Sequence, residues 1–267
     1  LWDTAQALAP LAPRFFSVTY GAGGSTRDLT HDAAHVLRRT SGLPVAAHLT
    51  CVGASRAETM EVADKFSKAG VSDIVALRGD PADGASKFTP HADGFQNSCE
   101  LIEALADTGK FNIRVGAYPD CHPDAADQKA NIDYLKRKFD AGADEAITQF
   151  FFEPETFLRF RDACVKAGID KSITPGILPV VNWKSAQKFA VRCGTPIPDW
   201  VGQAFDAALR DDRHDLLATA LCTELCSDLM DEGVEDLHFY TLNRADLTRD
   251  VCRALGVTPR VTLSDVA

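Results

Sequence analysis

The chain has no Cys-x-x-Cys pair, no His-x-His or His-Glu-x-x-His run, and no apolar stretch long enough to span a bilayer. The first two absences argue against a clustered zinc site, and the third against a transmembrane helix. No signal-peptide or lipidation pattern is read along it either. Positive charge is also in short supply. Lys and Arg number 28 against 38 Asp and Glu, a formal net charge of -10 with a pI near 5.1. Nucleic acid and anionic membrane surfaces repel such a protein at long range, so neither is expected as a partner. A small anionic ligand remains open, because it responds to the local field of a pocket. The eight cysteines are scattered, mostly in apolar surroundings, which points to a reduced, cytoplasmic setting. Cys222 and Cys226, one helical turn apart, read as packing.

What the chain does have is alternation. Apolar, β-rich runs at Phe15 to Tyr20, Val45 to Thr50, Asp73 to Arg78, Ile113 to Tyr118, Ala146 to Phe151, Ile173 to Leu178 and Asp236 to Tyr240 read as strands. Helical periods such as Arg56 to Ala69, Ala125 to Ala141, Glu155 to Ala167 and His214 to Glu232 fall between them. Gly70, Gly142, Gly168 and Gly233 stand where those helices should stop, and Ser55 with Glu58 forms a capping box. Strict alternation implies a parallel sheet buried on both faces. The turn Gly21-Ala22-Gly23-Gly24 lacks G-x-G-x-x-G spacing and reads as a loop.

The expected fold is therefore α/β, a (β/α)8 TIM barrel over residues 1–267 as a single domain. Seven strands are counted where closure needs eight, and the chain opens on a helix, so the first strand is expected to lie upstream of residue 1. An open doubly wound sheet is the alternative.

In a barrel, chemistry gathers at the carboxyl ends of the strands. Those positions hold Thr19 and Tyr20, His48 and Thr50, Arg78-Gly79-Asp80, Tyr118 with His122 beyond it, Gln149, Asn182, and Tyr240 with Asn243 and Arg244. Singly, each has a bland reading: a hydrogen-bonded core histidine, a loop-stapling ion pair, a satisfied barrel layer. Jointly, so many polar groups in one layer are costly without a polar ligand. Arg78 and the Lys136-Arg137-Lys138 run offer cations for a phosphate or pyrophosphate, although the run also suits a solvated helix face. Tyr20, Tyr118 and Phe189 offer flat surfaces for a fused ring. Asp80 can pair with a donor–donor edge such as that of a pterin. No metal is expected.

The segments SVTYGAGG (Ser17 to Gly24), AHLTC (Ala47 to Cys51), ALRGD (Ala76 to Asp80), AYPDCHP (Ala117 to Pro123), LKRKFDAGAD (Leu135 to Asp144), ITQFFF (Ile147 to Phe152), PGILPV (Pro175 to Val180) and HFYTLNR (His238 to Arg244) closely resemble bacterial methylenetetrahydrofolate reductases. The resemblance implies a (β/α) barrel with non-covalent FAD. Hydride would pass from NADH or NADPH through the flavin to 5,10-methylenetetrahydrofolate by a ping-pong scheme, giving 5-methyltetrahydrofolate for methionine synthesis. That is an oxidoreductase acting on CH-NH donors, cytoplasmic and homo-oligomeric, whose partners are folate and nicotinamide substrates.

Carried over by position, the flavin contacts are Tyr20, Ala22, His48, Arg78, Gly79, Asp80, Ala92, Tyr118, His122, Ala125, Arg137 and Lys138. Thr19 and Gln149 meet the nicotinamide, while Asp80, Gln149, Phe189 and Arg244 meet the folate. Asp80 is the catalytic residue this chain contains. The family's general acid is a glutamate in a Glu-Phe-Phe-Pro-Pro segment, which this sequence lacks. Asn131 and Tyr134 stand where relatives carry an acid and an amide, and Ser185 where a glutamine is familiar. The rival readings are a barrel aldolase or isomerase gripping a sugar phosphate, and a flavin-binding barrel without activity.

Overall fold

The elements follow the hydropathy pattern closely because each strand is apolar on both faces and each helix on one. A computed structural model of the chain describes residues 1–19, 27–80 and 88–259. It contains β1 (Phe16–Val18), β2 (Val45–Thr50), β3 (Asp73–Leu77), β4 (Asn112–Ala117), β5 (Glu145–Phe150), β6 (Ser172–Ile177) and β7 (His238–Phe239). The helices are α1 (Trp2–Leu8), α2 (Arg27–Ser41), α3 (Arg56–Lys68), α4 (Ser98–Asp107), α5 (Gln128–Asp140), α6 (Pro154–Lys166), α7 (Trp183–Cys193), α8 (Asp199–Arg210), α9 (His214–Asp231) and α10 (Asp246–Ala254).

Strand order in the seven-stranded sheet is the order of the chain, β1 to β7, and every pairing of defined register is parallel. A doubly wound open sheet reverses its order at a switch point, whereas a barrel never does. The fold is therefore α/β of the TIM-barrel type.

The helix boundaries have local causes. Ser55 accepts from the Glu58 amide while the Glu58 carboxylate accepts from the Ser55 amide at 2.8 Å, so the expected capping box opens α3. Asn97 caps α4 through the Cys99 and Glu100 amides, and Asn182 caps α7 through Ser185. Helix α6 starts one residue ahead of expectation because Pro154 suits the first helical position. The glycines expected to end α3, α5, α6 and α9 all have positive φ. Strands β1 and β7 are shorter than the apolar runs suggested. At β7 the ladder is two residue pairs, extended by one bond from the Tyr240 amide to the Ile177 carbonyl at 2.8 Å.

The chain divides into two compact units. One comprises residues 13–116 and 134–146 within the described span, and carries β1 to β3 with α2 to α4. Strands β2 and β3 are buried almost throughout, at five of six residues and four of five, while β1 is buried only at Val18. At their amino ends lies a buried ion network. Arg114 donates to Asp73 at 2.5 Å and to Glu145 at 2.9 Å, and its guanidinium lies 4.1 Å from the Phe15 ring centroid.

The other unit comprises residues 1–12, 117–133 and 147 onward, with β6, β7 and α6 to α10. Two apolar clusters fill it. One centres on Trp183 stacked on Phe205 at 4.5 Å, and the other on Phe151, Phe157, Ile177, Cys226 and Leu229.

Candidate functional site at the strand carboxyl ends

In the first unit the site is built on the segment that leaves β3. Gly79 has φ +87, and a Cβ there would lie 2.6 Å from Val52 Cγ1 and 3.0 Å from Thr50 Cβ. Only glycine lets the chain lie this close to the end of β2. Two bonds hold it there: the Cys51 amide to the Leu77 carbonyl and the Cys51 thiol to the Arg78 carbonyl, each 3.3 Å. Burial pushes the Cys51 thiol up to about 11, so it acts as a protonated donor rather than a nucleophile. The Thr50 hydroxyl is buried with no hydrogen-bond partner among the described residues. His48 is half-buried in β2, and Asp80 is exposed beyond Gly79.

Arg78 is half-buried with its guanidinium 5.0 Å from the Phe88 ring centroid. Lys138 comes from α5 and is buried, its Nζ donating to the Gly116 carbonyl at 2.7 Å. Burial lowers its pKa to about 8; Arg78 adds to the lowering and Cys99 opposes it. Two cations are thus close enough to repel, and no ion pair of Lys138 with a carboxylate occurs among the described residues. That arrangement suits an anion with several acceptor oxygens. Of the Lys136-Arg137-Lys138 run, the first two are exposed and only Lys138 is inside. Thr19 and Ala92 are exposed, the latter in a turn closed by the Gly94 amide on the His91 carbonyl. Tyr20, Ala22 and the Gly21 to Gly24 turn lie outside the described residues.

In the second unit, Tyr118 follows β4 and opens a loop fastened by Asn131. The Asn131 amide donates to the Tyr118 carbonyl at 2.8 Å, and its carbonyl accepts from the His122 amide at 3.3 Å. The His122 ring meets Tyr118 edge-on at 4.5 Å, and the Ala125 amide bonds the His122 carbonyl at 2.8 Å. Because His122 Nδ1 accepts from the Asp124 amide at 3.0 Å, the neutral ring carries its hydrogen on Nε2. Asn131 therefore holds this loop together, a role that its residue type and position in the sequence did not signal.

Gln149 is half-buried near the end of β5, its Oε1 accepting from the Phe150 amide at 3.1 Å. Phe189 on α7 stacks on Phe150 at 5.2 Å with Arg192 5.8 Å from its centroid, so one face of the ring is already covered. Tyr240 donates to the Thr148 carbonyl at 2.7 Å, and burial raises its pKa. Gly176 makes room for it: a Cβ there would fall 2.6 Å from the Tyr240 ring. Arg244 is exposed after two consecutive left-handed residues, Leu242 (φ 48) and Asn243 (φ 59). Thr4 of α1 donates to the Asn243 carbonyl at 2.8 Å. Ser185 is exposed, its amide spent on the Asn182 cap.

The structure thus gathers Arg78, Gly79 and Lys138 in one unit. In the other it gathers Tyr118, His122 and Ala125 in one loop, and sets Phe189 against the residue after Gln149. Among the described residues no group of three His, Cys, Asp or Glu side chains could hold a metal ion. No helix among them is long and apolar enough to cross a membrane.

An α/β chain of the barrel type, with two neighbouring cations and aromatic side chains at its strand ends, matches one protein family along nearly its whole length. The model of that family, "Methylenetetrahydrofolate reductase", matches residues 1–256. A "5,10-methylenetetrahydrofolate reductase" of Escherichia coli (strain K12) is 45% identical over 261 residues, 97% of this chain and 86% of the relative. One from Pectobacterium carotovorum subsp. carotovorum is 44% identical over 263 residues, 98% of this chain and 86% of the relative. A "Probable methylenetetrahydrofolate reductase (NADH)" of Oryza sativa subsp. japonica is 32% identical over 277 residues, 99% of this chain but 46% of that protein. The chain belongs to the methylenetetrahydrofolate reductase family.

Proposed function

We propose that the protein reduces 5,10-methylenetetrahydrofolate to 5-methyltetrahydrofolate, taking reducing equivalents from NADH or NADPH through a non-covalent FAD in a ping-pong cycle. The observation that carries this reading is the buried Lys138 beside Arg78, within a chain of this family. When bound, FAD supplies the hydride relay between the two substrates. Arg78, Arg137 and Lys138 would hold its phosphates, and the left-handed Gly79 would let the backbone come close to the ring. Tyr118 and His122 would flank it, with Tyr20, Ala22, His48, Ala92 and Ala125 completing the contacts. Thr19 and Gln149 would meet the nicotinamide.

Asp80, Gln149, Phe189 and Arg244 would bind folate. A carboxylate at Asp80 accepts the pterin's adjacent donors and favours the cationic iminium that forms when the five-membered ring opens. Proton delivery to the departing N10 needs a general acid, and no residue of this chain is given that role. In this reading the product feeds methionine synthesis, and the protein works in the cytoplasm as a homo-oligomer with a single barrel domain.

The test is an anaerobic half-reaction. Protein loaded with FAD should lose its flavin absorbance on mixing with NADH or NADPH, and regain it on adding methylenetetrahydrofolate. A protein that takes up no flavin, or whose flavin is untouched by either nicotinamide, sinks the proposal.

A further inference from the structure

Helix α5 carries Tyr134, Arg137 and Lys138, spaced so that both cations reach back to the tyrosine. The Arg137 guanidinium carbon lies 5.4 Å from the ring centroid and the Lys138 ammonium 5.2 Å. The ring is fixed from its far end, since its hydroxyl sits 3.0 Å from Ser98 Oγ at the start of α4. Burial raises the phenol's pKa, so the hydroxyl stays protonated and brings no charge of its own.

Arg137 and Lys138 thus share this ring, and Lys138 also feels the charge of Arg78 from the end of β3. Lys138 is buried, and beyond the Gly116 carbonyl its described contact is this ring. A carboxylate at position 134 would neutralise the neighbouring charges, but as an ion pair that an incoming phosphate must break. An aromatic face attracts cations through its quadrupole while leaving their N–H donors free for another acceptor.

We propose that Tyr134 is a positioning residue: its ring serves as an uncharged counterpart that holds Arg137 and Lys138 assembled for the diphosphate of a dinucleotide. This rests on the flavin reading above and adds to it a residue that need not touch the cofactor.

The experiment titrates apo-protein with FAD, following quenching of flavin fluorescence, and repeats the titration with riboflavin, which has no phosphates. Tyr134→Leu should weaken FAD binding about tenfold, the scale of a partly desolvated cation–π contact, and leave riboflavin binding unchanged. Tyr134→Phe keeps the ring, loses the Ser98 bond and should stay within about threefold of wild type. Tyr134→Glu should bind FAD worse than Tyr134→Leu, through competition for the cations. The proposal is overturned if Tyr134→Leu binds FAD normally, or if it loses riboflavin and FAD alike. It is equally overturned if Tyr134→Phe, which keeps the aromatic packing should the leucine variant not fold, loses as much FAD affinity as Lys138→Met does. A wild-type protein that binds no FAD removes the flavin reading and this inference together. FAD binding that survives Tyr134→Leu but falls with Lys138→Met removes this inference alone.

Discussion

Within one unit the protein buries charge twice, at opposite ends of the same strands, and handles it in opposite ways. At the amino ends the account is closed. Arg114 meets Asp73 and Glu145, Ser72 donates to Asp73 at 2.7 Å, and Arg14 approaches Glu145 at 3.7 Å. At the carboxyl ends, Lys138 has a carbonyl, a tyrosine ring and the repulsion of Arg78. Burial costs free energy in both places. The amino end recovers it inside the fold, whereas at the carboxyl end the proposed flavin diphosphate would recover it. A TIM-type fold separates the two tasks by strand polarity: cohesion below, ligand chemistry above.

Two substitutions break the comparison most severely. Arg114→Ala strands two buried carboxylates and should cost about 3–5 kcal/mol of unfolding free energy, measured by urea denaturation. Lys138→Met removes a buried charge that lacks a carboxylate, so apo-protein stability should hold or rise. Its FAD affinity should fall about 10- to 100-fold, as expected for a lost charge-assisted phosphate contact. Equal destabilisation by the two variants would erase the contrast between the ends.

A finer cut lies on β3, which has an aspartate at its amino end, Asp73, and another just past its carboxyl end, Asp80. Asp73→Asn should lower stability by about 1–3 kcal/mol, because a charge-assisted bond to a buried guanidinium becomes a neutral one. It should leave the half-reactions of folded protein alone. Asp80→Asn should melt with wild type and slow flavin reoxidation by methylenetetrahydrofolate about tenfold or more, a larger loss than any in FAD affinity. Unchanged folate turnover in Asp80→Asn would strike Asp80 from the mechanism.

Much of this was legible in the sequence, for reasons that differ by residue. Strand β2 was read to the residue because VAAHLT is apolar and bounded by a proline and a glycine-bearing turn. The α3 capping box and the glycine stops are local chemistry, which four or five residues suffice to specify. The strand pattern also put Arg78 to Asp80, Tyr118 and Gln149 at strand carboxyl ends, where the structure has them. The amino-end network could not be read, since Asp73, Arg114 and Glu145 are 41 and 31 residues apart and become neighbours only through parallel register. Lys138 fell between. The run Lys136-Arg137-Lys138 suited either a phosphate site or a solvated face, yet Asn131, Leu135 and Lys138 follow a helical period and are all buried. The periodicity held the signal, and charge concealed it.

Whether Lys138 waits for an anion shows in the pH dependence of binding. Its pKa in the apo-protein is about 8 against an ordinary 10.5, and a bound phosphate would raise it again. Below about pH 8 the ammonium is charged with or without ligand, so FAD affinity from this source is flat. Above about 8 it is neutral when free and charged when bound; binding then takes up a proton, and affinity should fall by up to about tenfold per pH unit. Lys138→Met should lack that slope. Apo-protein stability moves the other way. Between about 8 and 10.5 the unfolded chain binds the extra proton, so this residue's contribution to unfolding free energy rises with pH. Exposed Lys68 and Lys129, raised above the ordinary 10.5 by hydrogen bonds to Asp64 and Asp133, are protonated in both states across that range and lose their contribution only at higher pH. The difference between wild type and Lys138→Met cancels their contribution, and a difference independent of pH from 7 to about 10 would mean that Lys138 is no more desolvated than they are.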